Sequence, residues 1–75
     1  MPHISVKCYP GRTEEQKKDL AKKITEDVIE IMNAKEETIS VTIEDVQPEE
    51  WEGTVKNVDI LPKVDVMYKK PGYME

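Results

Sequence analysis

Hydrophobic and polar positions alternate at the start of the chain. Ile4, Val6 and Cys8 share one face of an extended segment, with His3, Ser5, Lys7 and Tyr9 on the other, the period-two pattern of a strand with one buried face. Pro10-Gly11 breaks the pattern. The period then lengthens: Leu20, Ile24, Val28 and Ile31, flanked by Ala21 and Met32, recur three and four residues apart. That spacing predicts an amphipathic helix from about Glu14 to Met32. Thr13-Glu14-Glu15-Gln16 supplies its start as a capping box, with Thr13 at the N-cap and Gln16 reaching back. The two acids in the first turn also favour the helix dipole. Lys17, Lys18, Lys22, Lys23, Glu26 and Glu30 largely fill the solvated face, and Asn33 is placed to be a left-handed C-cap. Ile39, Val41 and Ile43, alternating with Ser40, Thr42 and Glu44, predict a second strand that ends near Val46.

A strand, a covering helix and a second strand form a β-α-β unit, whose strands run parallel with a right-handed crossover. The expected fold class is therefore α+β, a parallel strand pair covered by one long helix in a single domain spanning residues 1–75. Two strands under one helix cannot close a core. The sheet is expected to be extended by dimerisation, the isologous solution being a twofold pair with four strands and both helices on one face. The last third is less regular. Gln47 to Trp51 predicts a short helical turn ended by Gly53, and Thr54 to Asn57 a brief strand that pairs with a neighbour. Asp59 would cap a short helix that tolerates Pro62 in its first turn, with Leu61, Val64 and Tyr68 on one side. Lys69 to Tyr73 reads as a closing turn or tail.

Composition narrows the function. Hydrophobic residues are 37%, aromatics 5%, and there is no Phe, so the core is thin and self-association is expected to complete it. A formal charge of −5 argues against nucleic acid as a partner. A small anionic substrate stays open, because local basic groups override a diffuse charge. No apolar run approaches the ~20 residues of a membrane span, and no charged n-region leads into an apolar h-region. Cys8 stands alone, so no internal disulfide is expected and a reducing cytoplasm fits best. With one His and one Cys, structural zinc is not expected, and no cofactor is called for.

Candidate chemistry begins at Pro2. If Met1 is removed, as small second residues generally allow, Pro2 carries a free secondary amine at the tip of a strand. A terminal amine with a reference pKa of about 7.7–8.0 becomes a base at neutral pH when burial disfavours its ammonium form. While Met1 stays attached, the same nitrogen is a tertiary amide with no basic lone pair. The plain alternative is a proline that merely starts an edge strand, where its missing N–H costs nothing.

Proline after Met, the β-α-β pattern and Gly11-Arg12-Thr13-Glu14-Glu15-Gln16-Lys17 before the helix together resemble the 4-oxalocrotonate tautomerase family, over Pro2 to about Trp51. The C-terminal portion, with Trp51 and Lys69-Lys70-Pro71-Gly72-Tyr73, resembles its PptA-type branch. The resemblance implies a tautomerase in which Pro2 acts as general base and then acid. It would move a proton between carbons, or from an enol oxygen to carbon, on a small 2-keto or enol carboxylate. An amine with a pKa near the working pH performs both steps well. Arg12 would bind the carboxylate, for which bidentate guanidinium geometry and an adjacent helix N-terminus are suited; a solvated charge is the alternative. Trp51 would stand against the proline, desolvating it and packing on the substrate, or serve as plain core.

Where many family members carry a second arginine early in the second strand, this chain has Ser40. That favours a monocarboxylate with an apolar tail, such as phenylenolpyruvate, over a dicarboxylate. It also favours a homodimer over a hexamer, since a neighbouring dimer provides that arginine. One consequence follows from distance alone. Pro2 to Tyr9 covers roughly 23 Å when extended, too far for Arg12 and Pro2 of one chain to share a small substrate. Arg12 must then come from another subunit, and an antiparallel dimer brings it. Two other functions fit less of the pattern. An in-family dehalogenase or hydratase of an unsaturated acid needs a water-activating carboxylate near Pro2, with Glu44 and Asp45 the candidates. A non-catalytic dimeric module would keep only the fold and a ligand pocket. His3 is expected to be strand decoration, and Tyr9, Tyr68, Tyr73, Lys69 and Lys70 interface packing.

Overall fold

A computed structural model describes residues 1–74. The first half follows its sequence pattern closely. Strand β1 (His3–Cys8), helix α1 (Glu14–Met32) and strand β2 (Ser40–Asp45) form the β-α-β unit. The strands pair in parallel, from His3 opposite Ser40 to Cys8 opposite Asp45. Backbone bonds extend the ladder at both ends: the Ser40 N–H donates to the Pro2 carbonyl at 3.2 Å, and the Val46 N–H to the Cys8 carbonyl at 2.8 Å. This register stacks Ile4 on Val41 and Val6 on Ile43 across one face, and Ser5 on Thr42 and Lys7 on Glu44 across the other. An ion pair between Lys17 and Asp45, at 3.0 Å, ties α1 to the end of β2.

Helix α1 begins with the anticipated capping box. Thr13 Oγ1 accepts from the Gln16 N–H at 3.1 Å, and Gln16 Oε1 accepts from the Thr13 N–H at 2.9 Å, so two otherwise orphaned donors are satisfied reciprocally. The helix stops at Asn33, whose φ of 55° and ψ of 38° are left-handed. Gly11 turns the chain into the helix at φ +127°, a conformation that L side chains rarely adopt. The apolar stripe is only partly covered. Ala21, Ile24 and Val28 are half-buried, while Leu20 is 43% exposed and Ile31 79%. Two strands make a sheet too narrow to cover the whole stripe.

The last third departs from its sequence reading. Helix α2 (Pro48–Trp51) does not end at Gly53; it runs on through a π-helical stretch, Glu52–Ile60, and a 3₁₀ stretch, Leu61–Val66. The expected strand at Thr54–Asn57 is therefore helical, and Asp59 lies inside the run instead of capping a new helix. The physical reasons are local and tertiary. Pro48 at the first helical position presets φ for the start. The hydroxyl of Thr54 donates to the Glu50 carbonyl at 2.7 Å, satisfying itself within the helix. Val55 is buried, at 4% exposure, which an edge strand would not provide. Continued winding also places Trp51, Val55 and Asp59, four residues apart, along one side facing β1. Leu61 and Val64 stay substantially exposed and Tyr68 wholly so, so the side expected to unite them is not packed. The tail closes in a 3₁₀ turn, Gly72–Met74, with the Lys56 ammonium 5.0 Å from the Tyr73 ring.

Val55, at 4% exposure, is the one buried hydrophobic among the described residues. The chain exposes 6071 Å², where a compact monomer of its mass exposes about 4,700 Å². Its radius of gyration is 13.8 Å, against about 11 Å for a compact chain of this length. No described helix is long and apolar enough to cross a membrane.

Candidate active site

The residues with candidate chemistry collect at opposite ends of β1. At the head, Met1 is fully exposed, open to removal, and Pro2 is half-buried. The Pro2 carbonyl is held by Ser40, which leaves only the nitrogen side of the residue free for chemistry. His3 Nδ1 and Ser40 Oγ lie 2.6 Å apart. Ser40, which stands where many family members have a second arginine, is therefore beside the proline and engaged in a short polar contact.

At the far end, Arg12 Nη1 donates to the Tyr9 carbonyl at 3.2 Å, which folds the side chain back over the strand end. Tyr9 meets Trp51 edge to face, with ring centroids 5.1 Å apart and planes at 86°, a favoured aromatic geometry. Arg12 and Trp51 thereby line one cavity of about 330 Å³, together with Lys7, Cys8 and Tyr9. A guanidinium and two aromatic rings around one small space suit an anion with an apolar body. A second cavity of about 390 Å³ adjoins it beneath the π-helical stretch, between Ser5 and Lys7 of β1 and Trp51, Val55 and Asp59 opposite.

Six residues of β1 separate the two ends, roughly 20 Å of strand. The single chain thus brings Arg12 and Trp51 together and leaves Pro2 apart. Trp51 packs on Tyr9 within its own chain, so a place against the proline, like that of Arg12, requires a second copy. The two carboxylates at the end of β2 are also removed from Pro2. Asp45 is bonded to Lys17 and pairs with Cys8 at the strand's tail.

The sequence pattern places Lys7 on the outer face of β1 and Asp59 at a helix cap, and gives neither a part in the site. Lys7 Nζ donates to Asp59 Oδ2 across the second cavity. That hydrogen bond, reinforced by charge attraction, raises the Lys7 pKa above its ordinary value and lowers that of Asp59. Lys63 adds a second cation 3.6 Å from Asp59. Their signal in the sequence is the constant spacing of four in Trp51, Val55, Asp59 and Lys63, which a stop at Gly53 hides. Among the described residues no group of three or more His, Cys, Asp or Glu is arranged to hold a metal ion.

Comparison with known proteins bears on the same arrangement. The family model "Tautomerase enzyme" matches residues 2–57. The chain is 40% identical over 74 residues to Tautomerase PptA of Escherichia coli O127:H6, covering 97% of each. It is 43% identical to Tautomerase PptA of Enterobacter sp. strain 638, again covering 97% of each. Among solved structures, a 4-oxalocrotonate tautomerase isozyme from Methylibium petroleiphilum is similar at a TM-score of 0.62 and 38% identity, covering 67% of this chain and 81% of that one. YwhB, a homologue of 4-oxalocrotonate tautomerase, is similar at a TM-score of 0.60 and 48% identity, covering 61% and 75%. A β-α-β unit headed by proline, an arginine at the start of its helix and these matches together mean that the chain belongs to the tautomerase family, with the 4-oxalocrotonate tautomerase fold and a PptA-like sequence.

Proposed function

We propose that the protein is a keto–enol tautomerase of small 2-keto or enol carboxylates, working as a homodimer in the cytoplasm on the Pro2 amine that Met1 removal frees. The substrate carboxylate sits on Arg12 of the second copy, and Trp51 of that copy forms the pocket wall. Pro2 takes the proton from the enol oxygen and, as the conjugate ammonium, returns it to carbon, so the enzyme ends the cycle in its starting protonation state. A secondary amine whose pKa is drawn toward neutrality by desolvation serves both steps.

One observation carries this reading: Arg12 and Trp51 share a cavity that lies a strand's length from Pro2. Those parts become one site when two β1 strands lie antiparallel, head to tail. The excess exposed surface and the half-covered α1 stripe favour the same partner, a second copy. With Ser40 beside Pro2 instead of an arginine, a monocarboxylate with an apolar tail is the better fit, and phenylenolpyruvate is the test compound.

The experiment follows the ultraviolet absorbance of phenylenolpyruvate on protein shown by intact mass to lack Met1. Pro2→Ala keeps a terminal amine but loses the secondary one, and kcat/KM is expected to fall about 100-fold or more. Arg12→Ala is expected to raise KM about tenfold or more while the oligomer persists. Equal rates in wild type and Pro2→Ala would remove Pro2 as the base. Binding of the substrate's carboxylate without any turnover would point to a binding module.

A further inference from the structure

We propose that Lys7 and Asp59 are positioning residues, whose ion pair fixes the C-terminal helical run on the sheet and so holds Trp51 beside Arg12. The inference rests on reading Arg12 and Trp51 as parts of one substrate site. Trp51, Val55 and Asp59 stand at the start, middle and far part of one side of that run. Trp51 meets Tyr9, Val55 is buried, and Asp59 is bonded to Lys7 of β1. Among the described residues this is the one ion pair that joins a strand to the run; the others join α1 to β2, or residues of one helical segment.

The run needs such a tether because of its winding. A π-helical stretch has poorer hydrogen-bond geometry than an α-helix and occurs mostly as single turns. The nine residues Glu52–Ile60 are therefore not held in register by their own backbone alone. A shift of one residue would rotate Trp51 away from Tyr9 and open the cavity that Arg12 lines. A fixed point two turns downstream removes that freedom. Asp59 is suited to be that point, since its carboxylate lies between Lys7 of the sheet and Lys63 of its own run. The two partners are 28% and 29% exposed, sheltered enough to be screened less than free surface charges. Lys7 also lines both cavities, the one with Arg12 and the one with Asp59, so the tether touches the wall of the site it steadies.

The test uses the assembled protein without Met1, in four variants: Lys7→Met, Asp59→Asn, the double variant, and Lys7→Arg. Trp51 is the sole tryptophan, so its emission reports its surroundings whether or not turnover occurs. Each single break is expected to raise KM for phenylenolpyruvate about two- to fivefold, the range a part-exposed ion pair supplies, with kcat within about twofold. Trp51 emission should shift to the red and become easier to quench with acrylamide. The double variant should be no worse than either single one, because both remove the same interaction, and Lys7→Arg should restore KM and emission together. Should Asp59→Asn fail to fold, Asp59→Ser breaks the same pair, and Lys7→Met against Lys7→Arg carries the same comparison. A KM effect from Lys7→Met that Asp59→Asn does not reproduce would mean that Lys7 acts on the ligand directly, and would overturn the proposal. Unchanged Trp51 emission in both single variants would overturn it too. Absence of turnover in the wild type would sink the tautomerase reading, while the emission measurements would still decide the tether.

Discussion

The two halves of the chain hold their shapes for different reasons. From His3 to Asp45 each element carries its own local code: alternation for the strands, a reciprocal capping box at Thr13 and Gln16, a left-handed stop at Asn33. From Pro48 to Val66 the backbone winds through α, π and 3₁₀ turns, with no side-chain bond at its N-cap, Gln47, a glycine at position 53 and a kink at Lys63, whose φ of −106° and ψ of 19° are not helical. That path is kept by tertiary contact, with Tyr9 on Trp51, Val55 buried and Lys7 on Asp59. The two candidate binding residues therefore owe their places to different causes. Arg12 is placed by the turn and helix start that precede α1, and Trp51 by tertiary contact.

The sharpest way to break the second half is at Val55. Val55→Ala removes two carbons from the one buried hydrophobic among the described residues and is expected to cost about 2 kcal/mol. The urea midpoint at fixed protein concentration checks this. Trp51 emission should change ahead of the far-ultraviolet dichroism of α1. If both change together, the two halves form one cooperative unit.

The first half should yield less to a single change. Thr13→Ala removes the N-cap of α1 and is expected to cost about 1 kcal/mol, read by the same denaturation. Its effect on Trp51 emission should be small.

Gly53→Ala should act with the opposite sign. Nothing lies within 4 Å of an added Cβ there, and the backbone is helical, so loss of glycine's unfolded freedom is expected to stabilise by about 0.5–1 kcal/mol. A loss of stability instead would favour the turn and short strand that the sequence alone implied.

The smallest expected effect is one of pH. The hydrogen bond from Lys7 depresses the Asp59 carboxyl, so its contribution is full above the unfolded carboxylate value of about 3.9. It fades as pH falls through the lower folded value. The Asp59 bond raises the Lys7 ammonium, so that contribution is full below about 10.4 and fades as pH rises through the higher folded value. Between about pH 4 and 10 the tether is flat. Loosening of Trp51 is expected only on the acid side of that window or the alkaline side, followed by emission against pH. A change centred near neutrality would mean that some other group governs Trp51.

Much of the site was legible because its code is short in range. The proline after Met1, the alternation of β1, the cap at Thr13 and the arginine before it can all be read within a few residues. The strand's length alone separates Pro2 from Arg12 within one chain. What could not be read was the path after Trp51. Gly53, Thr54 and Asp59 are compatible with a turn, a strand and a cap, and only burial of Val55 and the charge of Lys7, some fifty residues earlier in the chain, select continued winding. By itself the sequence determined the β-α-β unit and the places of Pro2 and Arg12 along it, because hydrogen-bond ladders and caps act between near neighbours or along a repeating pattern. The tertiary structure alone decided where Trp51 stands and what keeps it there, because contacts between distant residues choose among local conformations of nearly equal energy.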